Sequence, residues 1–361
     1  MPRRTVLALP LAIAALAGCR REAVRPVDVE PAWERESPVR PLPERPLGME
    51  VDFGAARGVE VTPEKVRLGR WLFFDARLSA DGTVSCGTCH RPALAFSEDT
   101  ARSTGIRGQQ GTRKSPPIVN AAFSVFGDLF WDGRAASLQE QVKGPIANPV
   151  EMGNTHEGAA RTVAGIAGYR KAFREAYADE RIDIDRIADA IAAYEATRLS
   201  GGSAWDRFTA GEAAALSDEA REGMDLFFGR GRCNACHLGP NLTDGRFHNI
   251  GIGYDEEAPP PRSGFSDPGR YAVTGEPDDT GAFKTPTLRD VARRAPYMHD
   301  GSVPTLAEAV MTYVRIESNP WLDPAMLEVR LAPFDVRPLV AFLEALDGTG
   351  FEDTPPASFP R

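Results

Sequence analysis

Cysteine and histidine are scarce in this 361-residue chain, with five of each. Scarcity makes their placement informative. Four of the cysteines and two of the histidines fall into two short motifs, Cys86-Gly87-Thr88-Cys89-His90 and Cys233-Asn234-Ala235-Cys236-His237. The fifth, Cys19, stands alone near the N-terminus, so no pair is left for a disulfide. Excess positive charge is also missing. The formal net charge of -9 argues against a general nucleic-acid binder and suits small-molecule chemistry or a basic protein partner. The apolar run from Val6 to Ala17 is too short to span a bilayer. Proline and glycine, by contrast, are plentiful (30 and 34), which predicts many loops.

That apolar run follows Arg3 and Arg4 and ends at Leu16-Ala17-Gly18-Cys19. A charged start before a short apolar core is the pattern of a secretory signal peptide. The last four residues resemble a bacterial lipobox, which implies cleavage before Cys19 and lipid on its sulfur; ordinary signal cleavage is the alternative. The expected organisation is a signal peptide over 1–18 and a lipidated tether or extended arm over 19–50. An N-terminal domain over 51–201 and a C-terminal domain over 202–361 follow. The arm is expected from its Pro, Arg and Glu content and weak apolar periodicity. The expected location is the periplasm, with a lipid anchor through Cys19.

The two halves repeat a pattern. Gly69-Arg70-Trp71-Leu72-Phe73-Phe74 precedes the first Cys-x-x-Cys-His, and Gly223-Met224-Asp225-Leu226-Phe227-Phe228 precedes the second. Each half closes on apolar residues at helical spacing: Ile184, Ile187, Ile191 and Tyr194, then Val336, Leu339, Val340, Leu343 and Leu346. Gly201-Gly202-Ser203 is the expected joint. Residues 255–281 read as a long surface loop.

Two thiols three residues apart can reach the two vinyl groups of one haem, and the adjacent imidazole then faces the iron. Zinc or thioredoxin-type chemistry is the alternative, but zinc needs further ligands. With so few Cys and His, about 0.001 matches per chain are expected by chance. The reading is two covalently bound c-type haems, attached through Cys86, Cys89, Cys233 and Cys236, with His90 and His237 as iron ligands.

Further segments resemble the bacterial di-haem cytochrome c peroxidase / MauG family. They include Phe130-Trp131-Asp132-Gly133-Arg134, Glu140-Gln141-Val142-Lys143-Gly144-Pro145, Val150-Glu151-Met152 and Pro296-Tyr297-Met298-His299-Asp300-Gly301. The resemblance runs from about residue 60 to 350. It implies an all-α fold of two cytochrome c-like domains, the first peroxidatic and the second for electron transfer. It implies that Glu151 is the distal carboxyl that shifts a proton during O–O cleavage, with Gln141 beside it. It places Trp131 between the haems, and makes Arg134 a candidate partner of a propionate or an internal carboxylate. His299 lines the second haem or bonds a propionate, His248 is a surface or supporting group, and His156 is exposed.

Two departures from the family pattern matter. Many members carry a histidine that caps the first iron; the matching position here is Ile106, so that iron is expected to be open. A methionine commonly ligates the second iron. Here the matching position is Tyr313, with Met311 as the rival and Met298 packed nearby. A phenolate stabilises the higher iron states. The family's calcium site has an asparagine where Lys114 stands, and an ammonium cannot ligate calcium, which weighs against that ion.

The expected activity is reduction of hydrogen peroxide to water, with electrons from a small cytochrome c or cupredoxin. The alternative is a MauG-like enzyme that uses a high-valent di-haem state to oxidise residues of a partner protein. A passive di-haem electron carrier is the third reading, and Glu151 and the missing capping histidine argue against it.

Overall fold

Both Leu-Phe-Phe repeats end a helix that is crossed by the closing helix of its own half. The structure, a computed structural model, describes residues 30–50, 58–123, 128–257 and 264–361. The leader and Cys19 lie outside the described residues. The helices are α1 (Ala32–Glu36), α2 (Pro63–Phe74), α3 (Cys86–Cys89), α4 (Leu138–Ala147), α5 (His156–Gly165) and α6 (Ala167–Tyr177). They continue as α7 (Ile184–Ala196), α8 (Ala204–Thr209), α9 (Asp218–Phe228), α10 (Tyr271–Thr274), α11 (Leu306–Val314) and α12 (Val336–Glu344). The described sheet is one antiparallel pair of two-residue strands, β1 (Phe247–His248) and β2 (Phe283–Lys284), with Phe247 opposite Lys284. The expected helical character holds at this level.

Helix α2 starts where Thr62 caps it and Pro63 opens its first turn, with the Thr62 hydroxyl accepting from the Lys65 amide at 3.3 Å. Helix α9 is capped likewise by Ser217. Glycine then permits each crossing. A Cβ at Gly69 would lie 1.8 Å from the Ala190 carbonyl oxygen of α7. One at Gly223 would lie 1.9 Å from the Pro338 carbonyl oxygen of α12. The aromatics repeat the same geometry. Phe73 and Phe74 meet edge to face at 5.0 Å, with Tyr194 at 5.2 and 6.1 Å. Phe227 and Phe228 do so at 5.1 Å, with Phe342 at 5.2 and 6.2 Å. Such pairs contribute about 0.5–1.5 kcal/mol each beyond area burial.

Two main apolar cores result. The first joins Leu68, Trp71, Leu72 and Phe73 of α2 to Ile187, Ile191 and Tyr194 of α7. The second joins Leu226 and Phe227 of α9 to Val310 of α11 and Leu339, Phe342 and Leu343 of α12. The predicted closing helices are therefore α7 and α12, with Leu346 buried just beyond the second.

Both ends of the chain are docked. Of the expected tether or extended arm, the part from Ala32 onward packs on the first core. Trp33 is buried against Trp71, with ring centroids 5.2 Å apart, and Glu34 pairs with Lys171. Met49 is buried, and the Leu47 carbonyl accepts from the Gly202 amide at 2.7 Å. Single apolar residues in a polar stretch carry this docking, and periodicity does not register them. The C-terminal tail returns to the first core rather than staying with the second. Phe351 is buried there, Arg70 binds Asp353 at 2.9 Å, and Gly168 donates to the Arg361 carbonyl at 2.7 Å. The expected joint at Gly201 pairs with Thr349 and is crossed by this tail. The 255–281 loop is anchored where it is described: Phe265 is buried and Asp267 binds Arg113 at 2.7 Å.

Candidate active site

Each Cys-x-x-Cys-His motif opens onto its own chamber. At the first, Ser85 and Thr88 form a capping box, and α3 sets Cys86 and Cys89 one turn apart. His90 follows as the cap, and its Nδ1 bonds the Phe96 carbonyl at 2.9 Å. At the second, Cys233 and Cys236 flank a single 3₁₀ turn, and His237 Nδ1 bonds the Leu242 carbonyl at 3.1 Å. In both cases the residue supplying the carbonyl is left-handed, Phe96 at φ 55 and Leu242 at φ 50. A non-glycine residue held there costs energy, so the two loops accept strain to deliver that carbonyl.

The geometry tests the fit to haem. A carbonyl accepts only from an N–H, so Nδ1 carries the proton and Nε2 keeps its lone pair. That is the usual arrangement of an iron-binding imidazole. Burial lowers the pKa of His90, and pushes His237 down to about 4, which keeps both rings neutral. All four cysteines are free of disulfides. The second chamber spans about 1360 Å³ and the first about 570 Å³, each including space open to solvent. The residues fit one haem in each.

The first chamber is the polar one. Gln141 from α4 and Glu151 from the following turn border it together with Cys86, Cys89, His90 and Ser103. Glu151 Oε1 accepts from Asn148 Nδ2 at 2.7 Å. Burial raises the Glu151 pKa, while Arg134 and the Asn148 bond oppose the rise. Gly105 forms the wall above Glu151: a Cβ there would lie 2.0 Å from the Val150 carbonyl oxygen. Ile106 itself is buried in the first core, so its side chain neither ligates nor lines this chamber.

The second chamber is apolar, with Phe227, Leu288, Val310, Leu339 and Leu343 in its wall. Tyr313 of α11 borders it, and burial raises the pKa of its phenol. Met298 also borders it, whereas Met311 packs on the second core. His299 lines this chamber with its ring stacked 3.5 Å from that of Phe283. His248 lines it too, bridging Asp323 at 2.6 Å and Asp244 at 2.8 Å.

Trp131 borders the second chamber and a cleft walled by Lys114 and Ser115, and Ser115 in turn borders the first chamber. Its indole N–H donates to the Lys114 carbonyl at 2.7 Å. The Lys114 ammonium is buried on the Glu98 and Thr100 carbonyls, and burial pulls its pKa down to about 8. Arg134 binds an internal carboxylate, Asp132, at 2.9 Å. His156 is half-buried rather than exposed, and bonds the Lys143 carbonyl at 3.0 Å away from both chambers.

Sequence reasoning missed Asn148 and Glu195. Asn148 carried no motif signal. Glu195 did carry one, since it sits four residues after Ile191 on the buried stripe of α7. A carboxylate in such a stripe is expensive unless it is paired or neutral.

The sequence profile of the di-haem cytochrome c peroxidase family matches residues 63–214. The chain is 38% identical over 291 residues to cytochrome c551 peroxidase of Nitrosomonas europaea, covering 80% of this chain and 82% of that protein. It is 38% identical over 289 residues to methylamine utilization protein MauG of Methylorubrum extorquens, covering 79% of each. A crystal structure of a MauG-like protein associated with microbial copper homeostasis superposes with a TM-score of 0.74. That match has 32% identity and covers 90% of this chain and 97% of the other. With relatives this similar over most of its length, the chain belongs to the di-haem cytochrome c peroxidase family.

Proposed function

We propose that peroxide is reduced to water in the first chamber, with electrons entering through the second. The chain is a di-haem peroxidase, an oxidoreductase acting on peroxide. The observation that carries the division of labour is the unequal lining: Glu151 and Gln141 face the first chamber, and apolar side chains with Tyr313 face the second.

His90, Cys86 and Cys89 would hold one haem, and His237, Cys233 and Cys236 the other. When bound, each haem supplies an iron that exchanges single electrons. Cleaving hydrogen peroxide into two waters takes two electrons and two protons, and one proton must move between the oxygens. Glu151 suits that task. Asn148 ties up Oε1, which leaves Oε2 to take the proton from the inner oxygen and hand it to the outer one. Gln141 can hold the outer oxygen by its amide.

Trp131 is the proposed stepping point between the chambers, with its indole fixed on Lys114. Tyr313 is the residue proposed to ligate the second iron, since it borders the second chamber and Met311 does not. This ligand is also what favours the second reading, oxidation of a partner protein's residues. The proposed donor is a small cytochrome c or cupredoxin. The domain limits near 51–201 and 202–361 remain the proposed organisation, with the tail reassigned to the first core. Export and a lipid anchor at Cys19 are proposed from the leader sequence, and covalent haem attachment from the two motifs.

Glu151→Gln tests the assignment. Steady-state peroxide reduction should fall about 10²–10⁴-fold, the usual contribution of a positioned acid–base group, with both haems retained. Unchanged turnover would remove Glu151 from the mechanism.

A further inference from the structure

Glu195 stands near the C-terminal end of α7, 4% exposed, and borders the first chamber together with Cys86, Cys89, His90 and Glu151. Its carboxyl makes no hydrogen bond or ion pair among the described residues. A buried carboxylate without a partner is among the most costly arrangements a protein can hold. Burial alone accordingly lifts the group to about 8.

The surrounding charges do not relieve it. On α2, Lys65 pairs with Glu60 and Asp189, Arg67 with Glu175, and Arg70 with Asp353. On α4, Lys143 pairs with Glu140 and Asp185. On α5, His156 bonds a carbonyl, while Glu157 and Arg161 are exposed. Arg198, one turn on, serves Thr197, the Phe351 carbonyl and Asp353. Within the chamber, the sulfurs of Cys86 and Cys89 are spent as thioethers once haem is attached, and His90 is the ligand. Glu151 is held by Asn148. The charge that Glu195 faces is therefore the one that changes in the chamber.

We propose that Glu195 is the proton-exchanging carboxyl of the first chamber, taking up one proton for each electron that reduces the iron there and releasing it on reoxidation. The proposal rests on the haem reading of Cys86, Cys89 and His90. A ferric haem carries one net positive charge, which favours the carboxylate; adding an electron removes that charge and favours the acid. Electron and proton arrive together, so the chamber's net charge stays constant. The structure supplies what such a site needs: burial of the carboxyl, no competing partner among the described residues, and contact with the chamber. Glu195 differs in this from Glu151, which is polarised by Asn148 and Arg134 and works on the substrate.

The test uses the holoenzyme. The midpoint potential of the first haem is measured against pH in the wild type and in Glu195→Gln. Between the Glu195 pKa beside ferric iron and its higher pKa beside ferrous iron, the wild-type reduction equilibrium should change up to tenfold per pH unit, equivalent to up to about 59 mV for a one-electron couple, and it should level off on both sides of that window. Glu195→Gln should lose that slope. A wild-type potential independent of pH, or a variant with an unchanged slope, overturns the proposal. Mass analysis of the Cys86–Cys89 peptide runs alongside: absence of haem there would refute the site reading itself. Should the variant fail to take up haem, redox-difference infrared spectra of the wild type decide. A carboxylic-acid carbonyl band that appears on reduction and shifts in heavy water supports the proposal, and its absence overturns it.

Discussion

Replacing Asn148 by alanine should move the pH profile of peroxide reduction without touching either haem. The Asn148 amide donates to Glu151 Oε1 at 2.7 Å. A hydrogen bond to a charged acceptor is worth about 1.5–3 kcal/mol, and a pKa unit corresponds to about 1.36 kcal/mol. The bond favours the carboxylate, so it offsets part of the rise that burial imposes on Glu151. Its loss should raise the Glu151 pKa further, because burial is then opposed by Arg134 alone. Glu151 accepts a proton in the first half of the reaction, so the acidic limb of kcat/KM should move upward by the same amount. At a pH well above both limbs the variant and wild type should converge. Asn148 Oδ1 also accepts from the Val150 amide at 3.0 Å, a bond the alanine variant loses as well. Asn148→Asp keeps that acceptor while putting a like charge beside Glu151, and its limb should move further still. Stopped-flow mixing with peroxide across pH measures the shift. A limb that stays in place in both variants would mean that Glu151 does not set it.

Other consequences can be measured independently. Tyr313→Phe should change the ferric spectrum of the second haem, whereas Met311→Leu should leave it as it is; the opposite result would make Met311 the ligand. Gly69→Ala should cost about 1–3 kcal/mol of stability by overpacking, because its Cβ meets a backbone oxygen of α7. Gly165→Ala, with nothing within 4 Å, should instead stabilise by about 0.4–1 kcal/mol, and urea unfolding compares the two. Glu195 also predicts a pH dependence of stability. Its folded pKa, about 8, lies above the unfolded value of about 4.3. The folded chain therefore holds the extra proton, and stability is lost as pH rises from about 4.3 towards 8. Urea midpoints of Glu195→Gln should show a shallower fall over that window, and an identical fall would indicate that Glu195 is already ionised in the folded protein.

Much of this architecture was legible because the relevant signals are local. Two Cys-x-x-Cys-His motifs, two Leu-Phe-Phe repeats and two apolar helical stripes each fit within a few turns, and α2, α7, α9 and α12 appear where those patterns lie. What escaped depends on distant partners. Trp33 gives no periodic signal, yet it finds Trp71. Phe351 lies after the last helix and returns to the first core. At the site, Gln141 and Glu151 came from a resemblance, and the structure brings them to one chamber. Ile106 shows the limit of position matching: the backbone passes over the chamber, but the side chain turns into the core. Glu195 was readable in principle, as a charge on the buried face of α7, and was hidden by the stronger signal of the isoleucines around it.

Lys114 ties the chambers together in a way that a list of its bonds understates. Its ammonium holds the Glu98 carbonyl, its amide donates to the His299 carbonyl at 2.8 Å, and its own carbonyl receives the Trp131 indole. One residue thus serves as a ruler between two redox centres. Any motion that separates the first chamber from the second must also drag the Trp131 indole, so the proposed electron path and the mechanical link have a common fastening.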